Sequence, residues 1–372
     1  MSVELSIVMP CLNEAETIES CITKALNFLK ENNISGEVVI GDNGSTDGSQ
    51  NLALTLGARV VDVKEKGYGS ASRGAIEAAK GKYVITADTD DSHDLENLMP
   101  FVKKLREGYD LVMGNRFKGE KIENSMPFLH RYLGNPVLSF IGNLFFKTKI
   151  NDFHCGLRGI NKKAYQTLDL KSTGMEFASE IVVKASMLNL KITEVPTTVF
   201  PAGRTRKAHL RTFPDGWRHL RFLLLYSPKW LFLFPGLLLL LIALIATVYL
   251  VVKPEDNLIK WLPVSSSLIL IGFQFILFYA LTKIYATNQN LIPRGKNYNN
   301  LFKYFTLEKG LLVGFLMILG GSASLLYCFL AETSSFEVLK LLIPSAIFTA
   351  LGVQLILFSF FFSILGLVDK KE

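Results

Sequence analysis

The sequence predicts an α/β domain with a mostly parallel sheet, followed by a four-helix transmembrane region. Two observations support this fold class. Residues 1–228 mix charged and apolar residues, and short β-rich segments alternate there with helical patterns. After Trp230 the composition changes, and long apolar segments follow one another. A chain of 372 residues is long enough to hold both parts.

The elements of the first part follow in order along the chain. The predicted strands are LSIVMP (5–10), EVVIGDN (37–43), ARVVDV (58–63), KYVITAD (82–88) and DLVMGNR (110–116). Helices are predicted from about Glu14 to Asn32, after Asp47, over GSASRGAIEAAKG (69–81), and from about Leu95 to Glu107. Strands separated by helices of this length indicate a parallel, doubly wound sheet.

Four apolar segments in the last part of the chain are each long enough to cross a bilayer. They cover residues 231–252, 262–282, 310–331 and 341–368. Basic residues concentrate in the loop after the second segment and in the tail, namely Lys283, Arg294, Lys296, Lys303, Lys309, Lys370 and Lys371. By the positive-inside rule, the sequence predicts an integral membrane protein whose amino-terminal domain and both termini are cytoplasmic.

These patterns divide the chain into a cytoplasmic domain (1–212), an interfacial amphipathic segment (213–230), four spans (231–368) and a cytoplasmic tail (369–372). Segment 128–147 is also typical of an interfacial helix, with packing on the sheet as the alternative. The net charge of +7 suits an anionic membrane surface. The four cysteines lack metal-ligand spacing and are expected to be reduced. We expect no nucleic-acid partner, and a homo-oligomer is left open.

The segment YVITADTDDSHDL (83–95) ends in a crowd of aspartates. Like charges this close raise each other's pKa unless a positive group shares the site. Asp88 and Asp90 are two residues apart at the end of a predicted strand, so both carboxylates can point to one side. The pattern favours a divalent cation, and the alternatives are a solvated loop or a helix N-cap cluster.

Two other predicted strands end in polar residues at the same edge of the sheet, where ligands bind in parallel sheets. MPCLNEAE carries Asn13 and Glu14, and IGDNGSTDGS carries Asp42 and Gly44. The first strand–helix turn lacks the glycines of a dinucleotide fingerprint. For Asp42, turn chemistry is the alternative interpretation. The glycines of GYGSASRG (67–74) are interpreted as a turn and helix start that approaches phosphate.

Together these motifs resemble family-2 glycosyltransferases of the GT-A fold, which is Rossmann-like. The matching residues are Pro10, Asn13, Glu14, Asp42, Gly44, Ser45, Asp47, Gly48, Gly67, Gly69, Arg73, Gly74, Asp88 and Asp90. With NDFHCGLRG (151–159) and the multi-span tail, the chain is similar to polyprenyl-phosphate glycosyltransferases such as the dolichyl-phosphate mannose and glucose synthases. The resemblance covers about residues 4–230.

The resemblance implies a membrane-bound, inverting hexosyltransferase that moves a sugar from a nucleoside-diphosphate sugar to a polyprenyl (dolichyl or undecaprenyl) phosphate. A UDP-sugar is favoured as donor, with GDP-mannose as the alternative. Mg²⁺ or Mn²⁺ would stabilise the departing diphosphate, with Asp90 as a direct ligand and Asp88 as a nucleotide or second metal contact. The implied catalytic residues are Asp88, Asp90, Asp152 and Arg158. The implied nucleotide-sugar contacts are Pro10, Asn13, Glu14, Asp42, Gly44, Arg73 and Asp88.

A lipid monophosphate acceptor is already an anionic nucleophile, so it needs cations that align it rather than a strong general base. Arginine suits this task because its planar fork binds two phosphate oxygens. The candidate acceptor-binding residues are Arg116, Arg131, Arg204 and Arg206. Glu176 and Glu180 lie four residues apart on one predicted helix, where they either contact the sugar or metal or form a solvated face.

Three other functions are weighed against this one. A processive polysaccharide synthase would carry Gln-x-x-Arg-Trp, and the nearest segment, PDGWRH, lacks both the Gln and the order. A non-catalytic sugar-nucleotide-binding scaffold is disfavoured by the intact Asp42, Asp88, Asp90 and Arg158. A transporter would place ionisable residues in the middle of the spans, and the sequence has essentially none there.

Overall fold

The computed structural model describes residues 3–120, 122–123, 125–205, 211–252, 258–294, 298, 305–330 and 335–368. The chain divides into two compact units between Leu223 and Leu224. This division falls inside the segment 213–230 that the sequence analysis treats as interfacial. The predicted tail 369–372 lies outside the described residues.

The first unit contains a seven-stranded sheet with the order β3-β2-β1-β4-β6-β5-β7. The strands are β1 (Leu5–Cys11), β2 (Gly36–Asp42), β3 (Arg59–Asp62), β4 (Tyr83–Thr86), β5 (Leu111–Asn115), β6 (Arg158–Asn161) and β7 (Ile192–Pro196). β6 runs antiparallel to both β4 and β5, and every other neighbouring pair of these strands is parallel. The predicted mostly parallel sheet is therefore confirmed.

The five strands predicted from the sequence all form, but β6 and β7 were not predicted. β6 consists of Arg-Gly-Ile-Asn, and glycine and asparagine are depleted in strands. Its strand conformation depends on pairing with β4 and β5 on either side. By contrast, β1 is buried along its whole length, which matches the apolar composition of LSIVMPC.

Helices alternate with most strands in the described part of the first unit. They are α1 (Ile18–Glu31), α2 (Ser49–Thr55), α3 (Tyr68–Ala78), α4 (Met99–Arg106), α5 (Asn135–Phe146), α6 (Lys162–Thr167), α7 (Phe177–Met187) and α8 (Thr212–Leu225), the last of which continues into the second unit. A short π-helix, His130–Gly134, leads into α5. α4 begins later than predicted, and Pro100 lies in its first turn, where proline is favoured.

The second unit contains four long apolar helices, which confirms the four predicted spans. They are α9 (Phe234–Val252), α10 (Leu262–Asn288), α11 (Leu307–Leu330) and α12 (Ser335–Val368). Each is long and apolar enough to cross a membrane by length and composition. A Cβ atom at Gly314 of α11 would lie 2.8 Å from the carbonyl oxygen of Gly352 of α12, so these two glycines let the helix backbones approach closely.

Candidate active site

The carboxyl ends of β2, β1 and β4 lie side by side. Cys11 at the end of β1 pairs with Asp42 at the end of β2, and β1 pairs on its other side with β4. After β4, the Thr89 hydroxyl donates to the Pro10 carbonyl at 2.9 Å. The fold therefore gathers at one edge the segments that carry Asn13, Asp42 and the aspartates after β4.

Asp42 is fully buried, and the described residues engage only one of its two carboxylate oxygens. Its Oδ2 accepts hydrogen bonds from the backbone N–H groups of Gly44 (2.8 Å) and Ser45 (3.1 Å) and from the side-chain amide of Gln50. Its Oδ1 has no hydrogen-bond partner within the described part of the chain. Burial acts to raise the pKa of Asp42, but the hydrogen bonds from Ser45, Gln50 and Gly44 outweigh it and lower that pKa. An ionised carboxylate with a spare oxygen can accept an N–H or O–H from a ligand.

The turn after β2 is tied to the loop after β1 by side chain–backbone hydrogen bonds. Asn13, at a positive φ of 58°, donates its backbone N–H to the Ser45 hydroxyl at 2.9 Å and accepts the Thr46 N–H on its Oδ1 at 2.7 Å. Asp47 accepts the Ala15 N–H at 2.9 Å. Asn13 and Asp47 therefore hold the two loops together, and Asp47 has the role of a turn residue.

Gly44 and Glu14 occupy special positions in these loops. Gly44 has a φ of +91°, in the region that favours glycine, and a Cβ there would lie 2.3 Å from Lys66 Nζ. Glu14 is buried, and its backbone N–H donates to the Ser49 hydroxyl at 3.0 Å. Its carboxylate faces the segment that precedes α8, as described below.

Asp88 lies in a cradle of three residues that the sequence analysis did not assign to the site. The Tyr68 hydroxyl donates to Asp88 Oδ1 at 2.9 Å. The backbone N–H of Asp88 donates to His93 Nδ1 at 3.1 Å, which leaves the ring proton on Nε2, 3.9 Å from Asp88 Oδ2. A Cβ at Gly156 would lie 2.6 Å from Asp88 Oδ2. The glycine inside NDFHCGLRG therefore leaves room for the Asp88 carboxylate.

The aspartates that follow separate into distinct environments. Asp91 has a positive φ of 60°, and its carboxylate turns toward α1, where it pairs with Lys24 at 2.7 Å and accepts from the Ser20 hydroxyl at 2.9 Å. Asp90 Oδ1 accepts from the backbone N–H of Ser92 at 3.2 Å and from its hydroxyl. Asp91 is therefore engaged by α1, and Asp90 is the one of these two aspartates that stays a candidate metal ligand.

Asp90 and Glu14 share one positive partner, Arg204. The guanidinium Nη2 lies 3.0 Å from Asp90 Oδ2, and Nη1 donates to Glu14 Oε1 at 3.1 Å. Burial acts to raise the pKa of Asp90, but the electrostatic interaction with the His93 ring, the Ser92 hydrogen bonds and the Arg204 guanidinium outweigh it and lower that pKa. The two carboxylates thus already hold a cation between them.

The donor set fits a hard divalent cation. The described residues contain no group of three or more His, Cys, Asp or Glu that could hold a metal ion by themselves. Mg²⁺, however, is usually bound by one or two protein carboxylates together with substrate phosphates. The guanidinium beside Asp90 is an observed stand-in for such a cation. Asp90 and Asp88 are therefore suitable ligands for a metal that a bound diphosphate completes.

Arg73 and the glycine-rich segment are arranged differently from the expectation. Arg73 pairs with Glu65 and donates to the Leu170 carbonyl at 3.2 Å. At the start of α3, the backbone N–H groups of Gly69 and Ser70 donate to the Thr173 carbonyl at 2.8 and 3.2 Å. These N–H groups were expected to approach phosphate, but they are already used to cap the helix from another loop.

Arg116 and Asp152, predicted for acceptor binding and catalysis, pair with each other. Arg116 Nε lies 2.6 Å from Asp152 Oδ2, and Nη2 lies 2.7 Å from Oδ1, so the pair is bidentate. The backbone N–H of Arg116 also donates to Asp152 at 3.1 Å. Asp152 is fully buried. These contacts give both residues a structural task that the sequence analysis did not anticipate.

Arg158 is also directed into the protein. It is 4% exposed and donates to the backbone carbonyls of Cys155 (2.6 Å), Ala178 (2.8 Å) and Phe153 (3.4 Å). Burial lowers its pKa. In this structure the Arg158 guanidinium is held by carbonyls of its own motif and of α7, and its role in catalysis stays a prediction.

The remaining candidates have varied surroundings. Arg131, in the π-helix before α5, lies over the Tyr132 ring at 6.0 Å, and no carboxylate pairs with it in the described ranges. Arg206 lies outside the described residues.

Glu180 is fully buried, pairs with Lys184 at 3.1 Å and accepts the backbone N–H groups of Lys171 and Ser172, so it is neither a solvated residue nor a ligand of the site.

Comparison with known proteins gives two family matches along the chain. Residues 6–169 match the glycosyl transferase family 2 model, and residues 280–366 match the glycosyltransferase family 2 C-terminal transmembrane region. A Haloferax volcanii protein, the low-salt glycan biosynthesis hexosyltransferase Agl6, is 36% identical over 97% of this chain and 89% of its own length. A dolichyl-phosphate hexose transferase of the same organism is 29% identical over 52% of this chain and 81% of its own.

Among solved structures, the chain is similar to a Mycobacterium tuberculosis glucosyl-3-phosphoglycerate synthase in complex with Mn²⁺, UDP and phosphoglyceric acid. That likeness has a TM-score of 0.44 and 22% identity, and it covers 60% of this chain and 76% of the other.

Proposed function

This chain belongs to glycosyltransferase family 2 and is a membrane glycosyltransferase, and from that premise we propose that it moves a sugar from a nucleoside-diphosphate sugar to a polyprenyl phosphate with inversion at the anomeric carbon. The donor is a UDP-sugar, with GDP-mannose as the alternative. One observation carries the proposal. Asp42, which has a buried carboxylate oxygen that the described residues do not engage, ends a strand at the same edge of the sheet as the strand that leads to Asp88 and Asp90.

The donor side of the site follows from charge and hydrogen bonding. Asp42 Oδ1 accepts a donor group of the base or ribose, while Asn13 and Gly44 shape the adjoining loops. Asp90 and Asp88 would hold Mg²⁺ or Mn²⁺, which would supply charge neutralisation for the departing diphosphate. Burial and the neighbouring Asp88 charge raise the pKa of Tyr68, so its hydroxyl stays protonated and keeps Asp88 oriented through a hydrogen bond.

The acceptor side needs a cation rather than a base, because a lipid phosphate is anionic at neutral pH. Arg131 supplies a guanidinium that no described carboxylate occupies. The relationship to a dolichyl-phosphate hexose transferase supports a lipid phosphate as the acceptor class. A single in-line displacement by that phosphate inverts the configuration of the donor sugar.

The exposed apolar residues of the first unit support an active site that works at the membrane surface. Around the π-helix and α5, the exposed large apolar residues include Phe128 (77% exposed), Tyr132, Leu133 and Phe140 (66% exposed). On α8, Phe213 and Trp217 are exposed beside Arg218 and Arg221. Such mixtures are typical of interfacial helices. We propose that this unit and both termini face the cytoplasm, as the positive loops indicate.

Transfer assays on the full-length protein in detergent test the proposed function. With a panel of UDP- and GDP-sugars and a polyprenyl phosphate, we expect one donor class to give a lipid-phosphate sugar whose anomeric configuration is opposite to that of the donor. EDTA should stop transfer and added Mn²⁺ or Mg²⁺ should restore it. A polyprenol without phosphate is the matched control and should not react. Transfer that survives EDTA, a retained configuration, or no lipid-linked product from any donor would each contradict the proposal.

Arg131→Ala is expected to weaken use of the lipid phosphate selectively. Losing a charge-assisted, bidentate contact costs about 1.5–3 kcal/mol, so the KM for polyprenyl phosphate should rise about tenfold to a hundredfold while the KM for the sugar nucleotide stays unchanged. Arg131→Lys should recover only part of the loss, because an ammonium keeps the charge but not the fork. Steady-state kinetics in neutral detergent measures both values.

The control for Arg131 is Lys149→Ala, which removes an exposed positive charge just after α5. It should leave both KM values unchanged in detergent. If Arg131→Ala also leaves the lipid-phosphate KM unchanged there and lowers only binding to anionic vesicles, Arg131 contacts headgroups and the acceptor site lies elsewhere.

A further inference from the structure

Residues 199–205 form a segment that lies along the loop carrying Asp90. The backbone N–H of Phe200 donates to the Ser92 carbonyl, and that of Gly203 donates to the Asp90 carbonyl, both at 2.9 Å. Backbone hydrogen bonds of this kind fix the segment against the loop independently of side-chain charge. The residue after Gly203 is therefore held beside the Asp90 carboxylate.

That residue is Arg204, and it is anchored from its other side as well. The backbone N–H and the hydroxyl of Thr205 donate to the two carboxylate oxygens of Glu16, each at 2.7 Å. The Arg204 side chain is 13% exposed and bridges Glu14 and Asp90 at 3.1 and 3.0 Å. The guanidinium thus lies, partly buried, between two carboxylates of the candidate active site.

This bridge uses the oxygen that a metal ion would need. Asp90 Oδ1 accepts from Ser92 and Oδ2 faces Arg204, so both oxygens of Asp90 are engaged. A divalent cation bound to Asp90 would place two like charges within a few ångströms of the guanidinium, and such a pair is strongly repulsive where water is scarce. Arg204 and a metal ion therefore compete for Asp90.

We propose that Arg204 is the resident counter-ion of the metal-free site, that a divalent cation must displace it from Asp90, and that the displaced guanidinium then binds a phosphate of a substrate. Removing the arginine therefore strengthens metal binding and weakens phosphate binding. This inference rests on the proposed function for the identity of the metal ligand and of the phosphate. The two tests below measure binding affinities, so their results do not depend on whether the protein shows glycosyl transfer.

The first test measures Mn²⁺ affinity of the full-length, substrate-free protein in detergent, from the electron paramagnetic resonance signal of free Mn²⁺. Arg204→Gln should lower the Kd for Mn²⁺ on the order of tenfold, because the metal no longer has to break a charge-assisted contact. It should also enlarge the rise in Tm that a fixed Mn²⁺ concentration produces. An unchanged or weaker Mn²⁺ affinity in Arg204→Gln would overturn the proposal.

Two controls separate displacement from general electrostatics. Lys24→Gln also removes one positive charge beside the aspartate loop, but Lys24 lies on α1 and pairs with Asp91 and not with Asp90. It should leave the Kd for Mn²⁺ close to that of the parent protein, and an equal gain in affinity would attribute the effect to net charge and overturn the proposal. The double variant Asp90→Asn with Arg204→Gln should lose the tight site. Tight binding that persists there would show that the metal binds elsewhere.

The second test uses the Mn²⁺-loaded protein and measures the Kd for UDP and, separately, for a polyprenyl phosphate. Arg204→Gln should weaken one of them on the order of tenfold, and the one that weakens identifies the source of the phosphate. Arg204→Lys should recover part of that loss, because it keeps the charge. If neither affinity changes in Arg204→Gln, the displaced guanidinium binds no phosphate, and that half of the proposal is rejected.

Discussion

Asp90→Asn is expected to reduce glycosyl transfer by at least about a hundredfold while leaving the Tm of the protein within a few degrees of the parent value. A metal ion contributes several kcal/mol of charge stabilisation to a departing diphosphate, and about 1.4 kcal/mol corresponds to a tenfold change in rate. The substitution keeps the size of the side chain and removes the charge that, in the proposed function, binds the metal. Turnover at limiting Mn²⁺ or Mg²⁺, with Tm measured in parallel, checks both halves of the expectation.

The neighbouring Asp91→Asn is the matched control. It makes the same chemical change one residue away, at a carboxylate that faces Lys24 and Ser20 on α1. Transfer should stay close to the parent rate, at the cost of a modest loss of stability. Near-normal transfer by Asp90→Asn at limiting metal, or equal losses in both variants, would remove the assignment of Asp90 as a metal ligand.

Asp152→Ala is expected to destabilise the first unit severely, by about 3–5 kcal/mol, because it leaves Arg116 with no partner for a charge held largely out of water. For a unit of this size, that loss should lower its Tm on the order of 10 °C. Replacing both partners, as Asp152→Leu with Arg116→Met, should recover much of the loss, since an apolar pair leaves no buried charge. Thermal unfolding of the full-length protein in detergent measures all of these values.

Arg106→Ala is the control for that experiment. Arg106 makes a similar bidentate pair with Glu4, at 2.7 and 3.0 Å, but both side chains are substantially exposed to water. Its loss should cost less than about 1 kcal/mol. If Asp152→Ala leaves the Tm unchanged and abolishes only transfer, then Asp152 acts on the substrate as the sequence analysis expected, and the ion pair is secondary.

The order of elements and the location of the site follow from local sequence patterns. Apolar strands alternating with amphipathic helices specify the parallel part of the sheet, and four long apolar segments specify the spans. Parallel strands bring their carboxyl ends to one edge, so Asp42 and the segment with Asp88 and Asp90 could be placed together without coordinates. These features could be predicted because they depend on residues that are close together in the chain, or on the rule that parallel strands end at the same edge of a sheet.

Only the tertiary structure decided which charged side chains pair with one another. From the sequence, Asp152 and Arg158 were expected in catalysis and Arg116 and Arg204 in acceptor binding, with no indication of the side chains that each would contact. In the fold, Arg116 pairs with Asp152, which is 36 residues away, and Arg204 reaches Glu14, which is 190 residues away. Such pairing is set by the packing of distant segments, and no local pattern records it. For the same reason β6 was missed, because its four residues gain their strand conformation from β4 and β5 on either side rather than from their own propensities.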